Sequence, residues 1–213
     1  NLQVMGDAGE LYHPGQFLTA AERFDLGISI DRMVLRKVAH KISLLKSSQP
    51  DLRLSINLTE QFMNDGNMIE YLHEMIREFD IDAGMLFIEI SEPVILQNMS
   101  RICQLSEEIA KLGCHLILDE IGVGFSDFHF LSPLSIRSVK ISGDLIRNIH
   151  IPANHDYLIS LCRTCHDQGI SVTAKFVEDW LLLDKLRDIG LDFAQGFAIG
   201  KPLESLDKSI FGS

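Results

Sequence analysis

The sequence predicts an α/β fold, and within that class a TIM-type (β/α)8 barrel, from two observations. Apolar residues switch repeatedly between the period of a strand and the period of a helix. Polar or charged residues also recur near the ends of successive predicted strands, namely Asn57, Glu89, Asp119, Lys140, Lys175 and Gln195. A barrel gathers all of its strand ends around one mouth, whereas an open sheet builds its ligand crevice from only a few strands. The recurrence therefore favours the barrel.

Short apolar segments predict six strands, at residues 52–58, 85–91, 115–121, 138–142, 171–177 and 193–199. Several are apolar on both faces, which is typical of parallel strands covered by helices. A (β/α)8 barrel has eight strands, so two are missing from this set. We interpret "LQVM" at residues 2–5 as the stub of one, and we expect another upstream of Asn1. The barrel is thus expected to be incomplete at the N-terminus of this chain.

Amphipathic segments between the strands predict helices at residues 29–47, 60–79, 98–113, 155–169 and 179–190. The last two end in glycine, as helices commonly do. The chain of 213 residues is 46% hydrophobic and contains no Pro/Gly/Ser-rich linker, so residues 1–213 are predicted to form a single domain.

Composition narrows the classes of function and environment. A formal net charge of −11 argues against a nucleic-acid duplex as partner, because binding phosphates requires a basic surface. The sequence shows no run of eighteen or more apolar residues and does not open with a basic segment followed by an apolar one, so we expect a soluble, globular chain. Cys162 and Cys165 form a C-x-x-C within a predicted helix and lack a second such pair, so they are interpreted as reduced structural thiols of a cytoplasmic protein.

Seven segments, in order, resemble those of the EAL domain family, which binds and hydrolyses the bacterial second messenger cyclic di-GMP. The segments are "GELYHPGQFLTAAERFDL", "SINLT", "IEISE", "LDEIGVGFSDFHFL", "VKIS", "TAKFVED" and "AQGFAIGKPL". The fourth is similar to the family's Asp-Asp-Phe-Gly loop, the fifth to its Lys-Ile-Asp strand and the sixth to its Ala-Glu-Gly-Val-Glu strand. The resemblance runs along essentially the whole chain.

The resemblance implies a metal site for Mg²⁺ or Mn²⁺ if the domain is active. Two metal ions about 3.5–4 Å apart assist phosphodiester hydrolysis by activating a water and neutralising charge on the phosphoryl oxygens. By family position, Asp119 and Glu120 would bind these metals, with Asn57 and Glu89 completing the shell of the first. Glu120 replaces the family's usual Asp and reaches one methylene further.

Three further positions are implied to contact the nucleotide. Lys140 would face the phosphate or the attacking water, and Glu178 and Gln195 match family positions near the ligand. Lys140 and Glu178 would be the catalytic positions of an active enzyme. The ligand-binding set implied by the resemblance is therefore Asn57, Glu89, Asp119, Lys140, Lys175, Glu178 and Gln195.

Three departures from the family pattern argue against hydrolysis. The Glu of the signature Glu-Ala-Leu motif would fall just before Asn1. Ser142 replaces the Asp of Lys-Ile-Asp, and Lys175 replaces the first Glu of Ala-Glu-Gly-Val-Glu. The two replacements remove about three units of negative charge from a site that must attract divalent cations. We hypothesise that Lys175 takes the electrostatic role of a metal among Glu89, Asp119 and Glu120.

Each residue also has a simpler interpretation. Asn57 alone is typical of a strand-end turn, Glu89 and Glu92 would serve as solvent-facing charges, and Lys140 or Lys175 as surface lysines. Their recurrence at successive strand ends favours a site over these separate interpretations.

Three functions remain open after the sequence. The favoured one is a degenerate EAL domain that binds cyclic di-GMP without hydrolysis and signals to a neighbouring domain or protein effector. The alternatives are a protein-interaction module that has lost the nucleotide and an active metal-dependent phosphodiesterase. The resemblance also implies a homodimer through the loop Phe125–Phe130 and a cytoplasmic location, either alone or within a larger membrane-attached signalling protein.

Overall fold

Strands and helices alternate through the computed structural model, which describes residues 4–5, 11–12, 14–122 and 128–201. The chain divides into a first unit, residues 1–86, and a second unit, residues 87–213. No helix within the described ranges combines the length and the apolar character that crossing a membrane requires.

The first unit carries the N-terminal hairpin and a set of packed helices. Its elements are β1 (Val4–Met5), β2 (Leu11–Tyr12), α1 (Pro14–Arg23), α2 (Gly27–Leu45), β3 (Leu54–Asn57), α3 (Glu60–Met63) and α4 (Met68–Glu78). Strands β1 and β2 form an antiparallel two-stranded sheet. The interpretation of "LQVM" as the stub of a parallel barrel strand is therefore wrong, because Val4 and Met5 pair with Tyr12 and Leu11.

The helix predicted over residues 60–79 is divided in two. Asp65 interrupts it, because its side chain accepts a hydrogen bond from the backbone N–H of Asn67 (3.0 Å) and so closes a local turn. Asn64, Asp65, Gly66 and Asn67 are all residues that favour turns over helix interiors. The apolar period continues on both sides of the turn, which explains why the sequence pattern suggested one element.

Polar side chains fix the start of α3 against α2. Thr59 is the N-cap of α3, and its hydroxyl accepts from the N–H of Phe62. Asp31 of α2 is only 4% exposed, and its Oδ2 accepts from the N–H (2.8 Å) and the hydroxyl (2.6 Å) of Thr59. These contacts place the end of β3, where Asn57 lies, at a defined point of the first unit.

The second unit is a parallel sheet with helices between its strands. Its strands are β4 (Leu86–Ser91), β5 (His115–Ile121), β6 (Ser138–Ile141), β7 (Ser171–Ala174) and β8 (Phe193–Ala194). Its helices are α5 (Glu92–Gln97), α6 (Met99–Lys111), α7 (Gly143–Arg147), α8 (Pro152–Asp167) and α9 (Trp180–Ile189), and a short 3₁₀ turn occupies His129–Leu131. Another 3₁₀ turn, Ala83–Met85, belongs to the first unit. Strands β4 to β8 are hydrogen-bonded to one another in chain order.

Residues on both faces of these strands are buried, as the sequence pattern predicted. On one face, Ile88 and Leu116 are at most 1% exposed. On the other, Glu89, Ile117 and Ser138 are 4%, 6% and 7% exposed. Burial on both faces is expected for parallel strands covered by helices. The predicted α/β class is confirmed, and the parallel order brings the carboxyl ends of β4 to β7 to one edge of the sheet.

Two predicted strands end at least three residues earlier than expected. The strand predicted over 171–177 ends at Ala174, and the strand predicted over 193–199 ends at Ala194. Phe176 has a left-handed backbone, with φ of +57°, which is incompatible with a continuing strand. Gly196 passes so close to Val177 that a Cβ there would overlap the Val177 backbone. The chain therefore turns away from the sheet directly after Lys175 and after Gln195.

The cysteines of α8 lie in the core. Cys162 and Cys165 are buried and unbridged, as the sequence predicted for structural thiols. Burial raises the pKa of the Cys162 thiol to about 11 and that of Cys165 to about 12. Both thiols are therefore protonated at neutral pH and are poor nucleophiles.

Candidate functional site

Five charged side chains from four strand ends of the second unit form one cluster, which we call the strand-end cluster: Glu89, Asp119, Glu120, Lys140 and Lys175. Glu89 lies on β4, the two other acids on β5, Lys140 on β6, and Lys175 directly follows β7. Parallel pairing aligns these positions, with Ser91 opposite Asp119 and Lys140 opposite Thr173.

A bulge in β5 explains how two consecutive acids serve one site. The pairing of β5 with β6 shifts register between Leu118 and Ile121, and Glu120 has a φ of +60°. Consecutive side chains of a regular strand point to opposite faces, so the bulge is needed to turn Asp119 and Glu120 toward the same partner. The Glu120 N–H also donates to Asp119 Oδ1 at 2.8 Å.

Lys175 is the partner that Asp119 and Glu120 share. Its Nζ donates to Asp119 Oδ1 at 3.0 Å, to Asp119 Oδ2 at 3.1 Å, and to Glu120 Oε1. The side chains of Lys175 and Asp119 are 16% and 9% exposed, whereas that of Glu120 is 42% exposed. The surface-lysine interpretation of Lys175 is therefore wrong, because its ammonium is enclosed by carboxylates.

Burial and the carboxylates act in opposite directions on Lys175. Burial lowers the pKa of its ammonium, but the hydrogen bond to Glu120 and the charge of Asp119 outweigh it and hold the pKa above its usual 10.5. The ammonium is thus charged at neutral pH and offsets part of the negative charge of the cluster.

A second lysine, Lys140, neutralises the remaining carboxylate. Its Nζ forms an ion pair and hydrogen bond with Glu89 Oε1, with side-chain exposures of 14% and 5%. The interpretations of Lys140 as a surface lysine and of Glu89 as a solvent-facing charge are therefore wrong. Burial of a carboxylate is costly unless it is paired and hydrogen-bonded, which Lys140 provides.

Ser142 stands at the end of β6 and serves as a helix cap. It is 3% exposed, and its hydroxyl accepts from the N–H of Leu145 (3.4 Å) as the N-cap of α7. A serine is a preferred residue at this position because its oxygen satisfies an otherwise unpaired helix N–H. The strand end after Lys140 therefore contributes no carboxylate to the cluster.

Glu92 was not predicted as a site residue, yet it is fully buried beside the cluster. Its Oε2 accepts from the N–H of Gly122 at 3.0 Å, so it fixes the end of β5 just beyond Glu120. The solvent-facing interpretation of Glu92 is wrong for this reason. Burial, with a smaller contribution from the charge of Glu92, raises the pKa of the nearby Tyr157 to about 12. The signal available in the sequence was an acid immediately after a buried strand.

Phe176 was also missed, although the sequence carried a signal. The motif that this segment resembles has glycine at this position, and a φ of +57° is a conformation that favours glycine. Phe176 is 47% exposed and directly follows Lys175. The phenylalanine is a visible departure from the glycine of that motif, but its left-handed conformation is not evident from residue spacing.

The remaining predicted residues are placed as follows. Gln195 bonds through its backbone to both Ala174 (2.8 Å) and Val177 (3.0 Å), and Glu178 is exposed just beyond that segment. Asn57 ends β3 in the first unit and is exposed. Roles of these three residues toward a ligand stay predictions.

The loop Phe125–Phe130 is only partly within the described residues. Residues 123–127, including Phe125, lie outside them, so the predicted dimer contact cannot be placed there. Phe128 packs edge-on against Tyr157 of α8, with ring centroids 5.0 Å apart. This contact places the ring of Phe128 against helix α8.

The strand-end cluster does not fit a divalent cation as it stands. Among the described residues, no group of three or more His, Cys, Asp or Glu side chains is arranged to hold a metal ion. Ammonium groups are within hydrogen-bonding distance of Glu89, Asp119 and Glu120, so a cation would have to displace Lys140 or Lys175. Each of the three acids is already paired with the ammonium group of a lysine.

Comparison with known proteins identifies the family. Residues 2–202 match the model of the EAL domain. The chain is 36% identical over 203 residues to the cyclic di-GMP phosphodiesterase PdeB of Shewanella oneidensis, covering 94% of this chain and 24% of that protein. It is 28% identical over 208 residues to the cyclic di-GMP phosphodiesterase PdeF of Escherichia coli, covering 97% and 28%. The chain thus spans about a quarter of the length of these curated relatives.

Solved structures agree on the fold. The FimX EAL domain from Pseudomonas aeruginosa bound to c-di-GMP superimposes with a TM-score of 0.86 at 24% identity, covering 96% of this chain and 83% of that one. The PaMucR phosphodiesterase in complex with c-di-GMP gives a TM-score of 0.87 at 20% identity, covering 94% and 82%. The predicted TIM-type α/β barrel is confirmed by these likenesses. The chain belongs to the EAL domain family.

Proposed function

We propose that this EAL domain binds cyclic di-GMP as a signalling receptor and does not hydrolyse it. The observation that carries the proposal is the contact of Lys175 Nζ with both oxygens of Asp119 and with Glu120. Two relatives are named as cyclic di-GMP phosphodiesterases, and two structural neighbours are described as complexes with c-di-GMP. These names support the same ligand for this chain.

The argument against hydrolysis rests on charge. Metal-assisted hydrolysis of a phosphodiester requires a Lewis acid and an activated water. A hard divalent cation is attracted by clustered, unpaired oxygen ligands. In the strand-end cluster three carboxylates face two ammonium groups, so the formal charge is −1 where the acids alone would give −3. The attraction for a divalent cation falls accordingly.

The argument for binding rests on Lys140. An ammonium has three N–H donors, and Lys140 uses one of them in its hydrogen bond to Glu89. Its side chain is 14% exposed, so it is not fully closed to solvent. A charge-assisted hydrogen bond from a partly buried ammonium is among the stronger polar contacts available to a phosphate.

An active phosphodiesterase is the second candidate, and one observation favours it. The 36% identity to PdeB, named as a phosphodiesterase, extends over 94% of this chain. In that case Mg²⁺ or Mn²⁺ would bind Asp119 and Glu120 after displacing Lys175, with Lys140 and Glu178 at the catalytic positions. We place the domain in the cytoplasm, where it would signal to a protein effector or act as a homodimer.

Calorimetric titration tests the proposal. Cyclic di-GMP is titrated into the protein with EDTA and then with magnesium, and the same samples are analysed for linear dinucleotide. Binding in EDTA with intact ligand in both buffers supports a receptor. Cleavage in magnesium overturns the proposal in favour of the enzyme, and a lack of binding in both buffers overturns it in favour of a protein-interaction module.

The variant Lys175→Glu tests the role of the ammonium in excluding metal. It replaces the ammonium by a carboxylate between Asp119 and Glu120, so we expect divalent-metal affinity to rise above that of the parent chain. Manganese binding followed by paramagnetic resonance measures this change without requiring activity. Equal manganese affinity in the two forms would contradict the role given to Lys175.

A further inference from the structure

Phe176 holds an unfavourable conformation in an exposed place. Its φ of +57° is rare for a bulky L-residue, and its side chain is 47% exposed. The residue is therefore not enclosed in a core that would account for this conformation. Persistent strain of this kind clusters at functional sites, so it motivates a functional explanation.

The ring of Phe176 packs against Gly143, beside the strand-end cluster. A Cβ added to Gly143 would overlap Cδ2 of Phe176 and lie 2.9 Å from its Cε2, so only glycine leaves room for the ring there. Gly143 is the first residue of α7 and follows Ser142, the cap at the end of β6. The ring of Phe176 is therefore held across the strand end that follows Lys140.

Two cations lie near this ring. Lys175 Nζ is 5.9 Å from the ring centroid, and the guanidinium carbon of Arg147 is 5.2 Å from it. An aromatic ring beside cations suits a ligand that joins a planar base to a phosphate, because the ring takes the base by stacking and the cations take the charge.

We propose that Phe176 is a stacking platform for one purine base of the nucleotide bound at the strand-end cluster. This inference rests on the proposed function, because it assigns one contact within that ligand site. The base lies against the exposed part of the Phe176 ring while its phosphate approaches Lys140 and Lys175. Gly143 sets the position of the platform without touching the ligand.

Three variants test the platform by calorimetry with cyclic di-GMP. Phe176→Gly removes the ring and relieves the backbone strain, Phe176→Leu keeps an apolar side chain without a π face, and Phe176→Tyr keeps the face. Stacking of a base on an aromatic side chain predicts a loss of affinity of about 10-fold or more for the Gly and Leu variants. The Tyr variant is expected to stay within about threefold of the parent.

Thermal denaturation separates this role from a structural one. Phe176→Gly is expected to melt at or above the temperature of the parent, because glycine adopts a positive φ without strain. Parent-like affinity in both the Gly and Leu variants overturns the platform and leaves the receptor standing. A lower melting temperature of Phe176→Gly also overturns it, because the ring would then belong to the core. A parent chain that binds no cyclic di-GMP overturns both proposals.

Discussion

One ion pair of the first unit is exposed to water, whereas one ion pair of the second unit is buried. In the first unit, Arg36 of α2 donates to Glu78 at the end of α4, and the two side chains are 47% and 51% exposed. In the second unit, Lys140 and Glu89 are 14% and 5% exposed. Water and salt screen the first pair, whereas the second pair is largely shielded from water, so each charge relies on the other for compensation.

The burial of an ion pair determines how much stability the protein loses when one of its charges is removed. Removing one partner of an exposed pair leaves a solvated charge, which costs little. Removing one partner of a buried pair leaves a charge that water cannot reach, which costs a great deal. The strand-end cluster is therefore expected to contribute to the stability of the sheet as well as to the proposed ligand site.

The largest effect is expected from Lys140→Met. It leaves Glu89 buried without its ammonium, so the free energy of unfolding should fall by about 3–5 kcal/mol. Urea denaturation measures the change. The double variant Lys140→Met with Glu89→Gln removes both charges and should recover most of the loss, and failure to recover would show that packing, not charge, is responsible.

A smaller loss is expected from Lys175→Met. Glu120 is 42% exposed and can be solvated by water once the ammonium is gone, so Asp119 bears most of the penalty. We expect a decrease of about 1–3 kcal/mol in the free energy of unfolding. A loss larger than that of Lys140→Met, measured in the same urea series, would contradict the ranking by burial.

Alkaline pH should remove the advantage that Lys175 confers. Its pKa is raised in the folded protein, so its stabilisation is fully present below its ordinary pKa of 10.5 and is lost as pH rises through the higher folded value. The stability difference between parent and Lys175→Met should thus be constant near neutrality and shrink above pH 10.5. Cys165 and Tyr157 also titrate in this range, but they are present in both proteins.

That measurement is a set of urea curves for both proteins at increasing pH. A difference that grows with pH would show that the deprotonated amine is the stabilising form. It would also remove the basis for treating Lys175 as a built-in cation.

The smallest effect is expected for Arg36 and Glu78. A double-mutant cycle of Arg36→Ala and Glu78→Ala should give a coupling too small to resolve at physiological salt, because both groups are exposed. Urea denaturation at low and physiological salt measures it. A coupling as large as that of Lys140 with Glu89 would show that burial does not distinguish the two units.

Much of the fold was predictable because periodicity reports directly on burial. The strand at 115–121 was predicted with its observed bounds, since its apolar residues are buried on both faces. Periodicity failed where backbone geometry overrides it. The turn at Asp65 interrupts a continuous apolar pattern, and the left-handed conformation of Phe176 shortens β7.

The charged residues of the candidate site could be predicted from the sequence, but the backbone geometry that orients them could not. The replacement of an acid by Lys175 was visible in the sequence and suggested contacts with Glu89, Asp119 and Glu120. The structure places Asp119 and Glu120 within hydrogen-bonding distance of Lys175, whereas Glu89 pairs with Lys140. The bulge that turns both acids toward Lys175 depends on the φ of Glu120, which residue type does not reveal. The burial of Glu92 depends on the end of β5, which spacing could not specify.

The ammonium of Lys175 is covalently attached to the fold, and this has a consequence for signalling. A tethered charge cannot be chelated, diluted or exchanged, so the charge balance at Asp119 is the same whatever the concentration of free magnesium around the protein. A receptor built on this cluster would report nucleotide concentration alone. The nucleotide concentration at which it responds would be set by the protein itself and would not depend on the magnesium concentration in the cell.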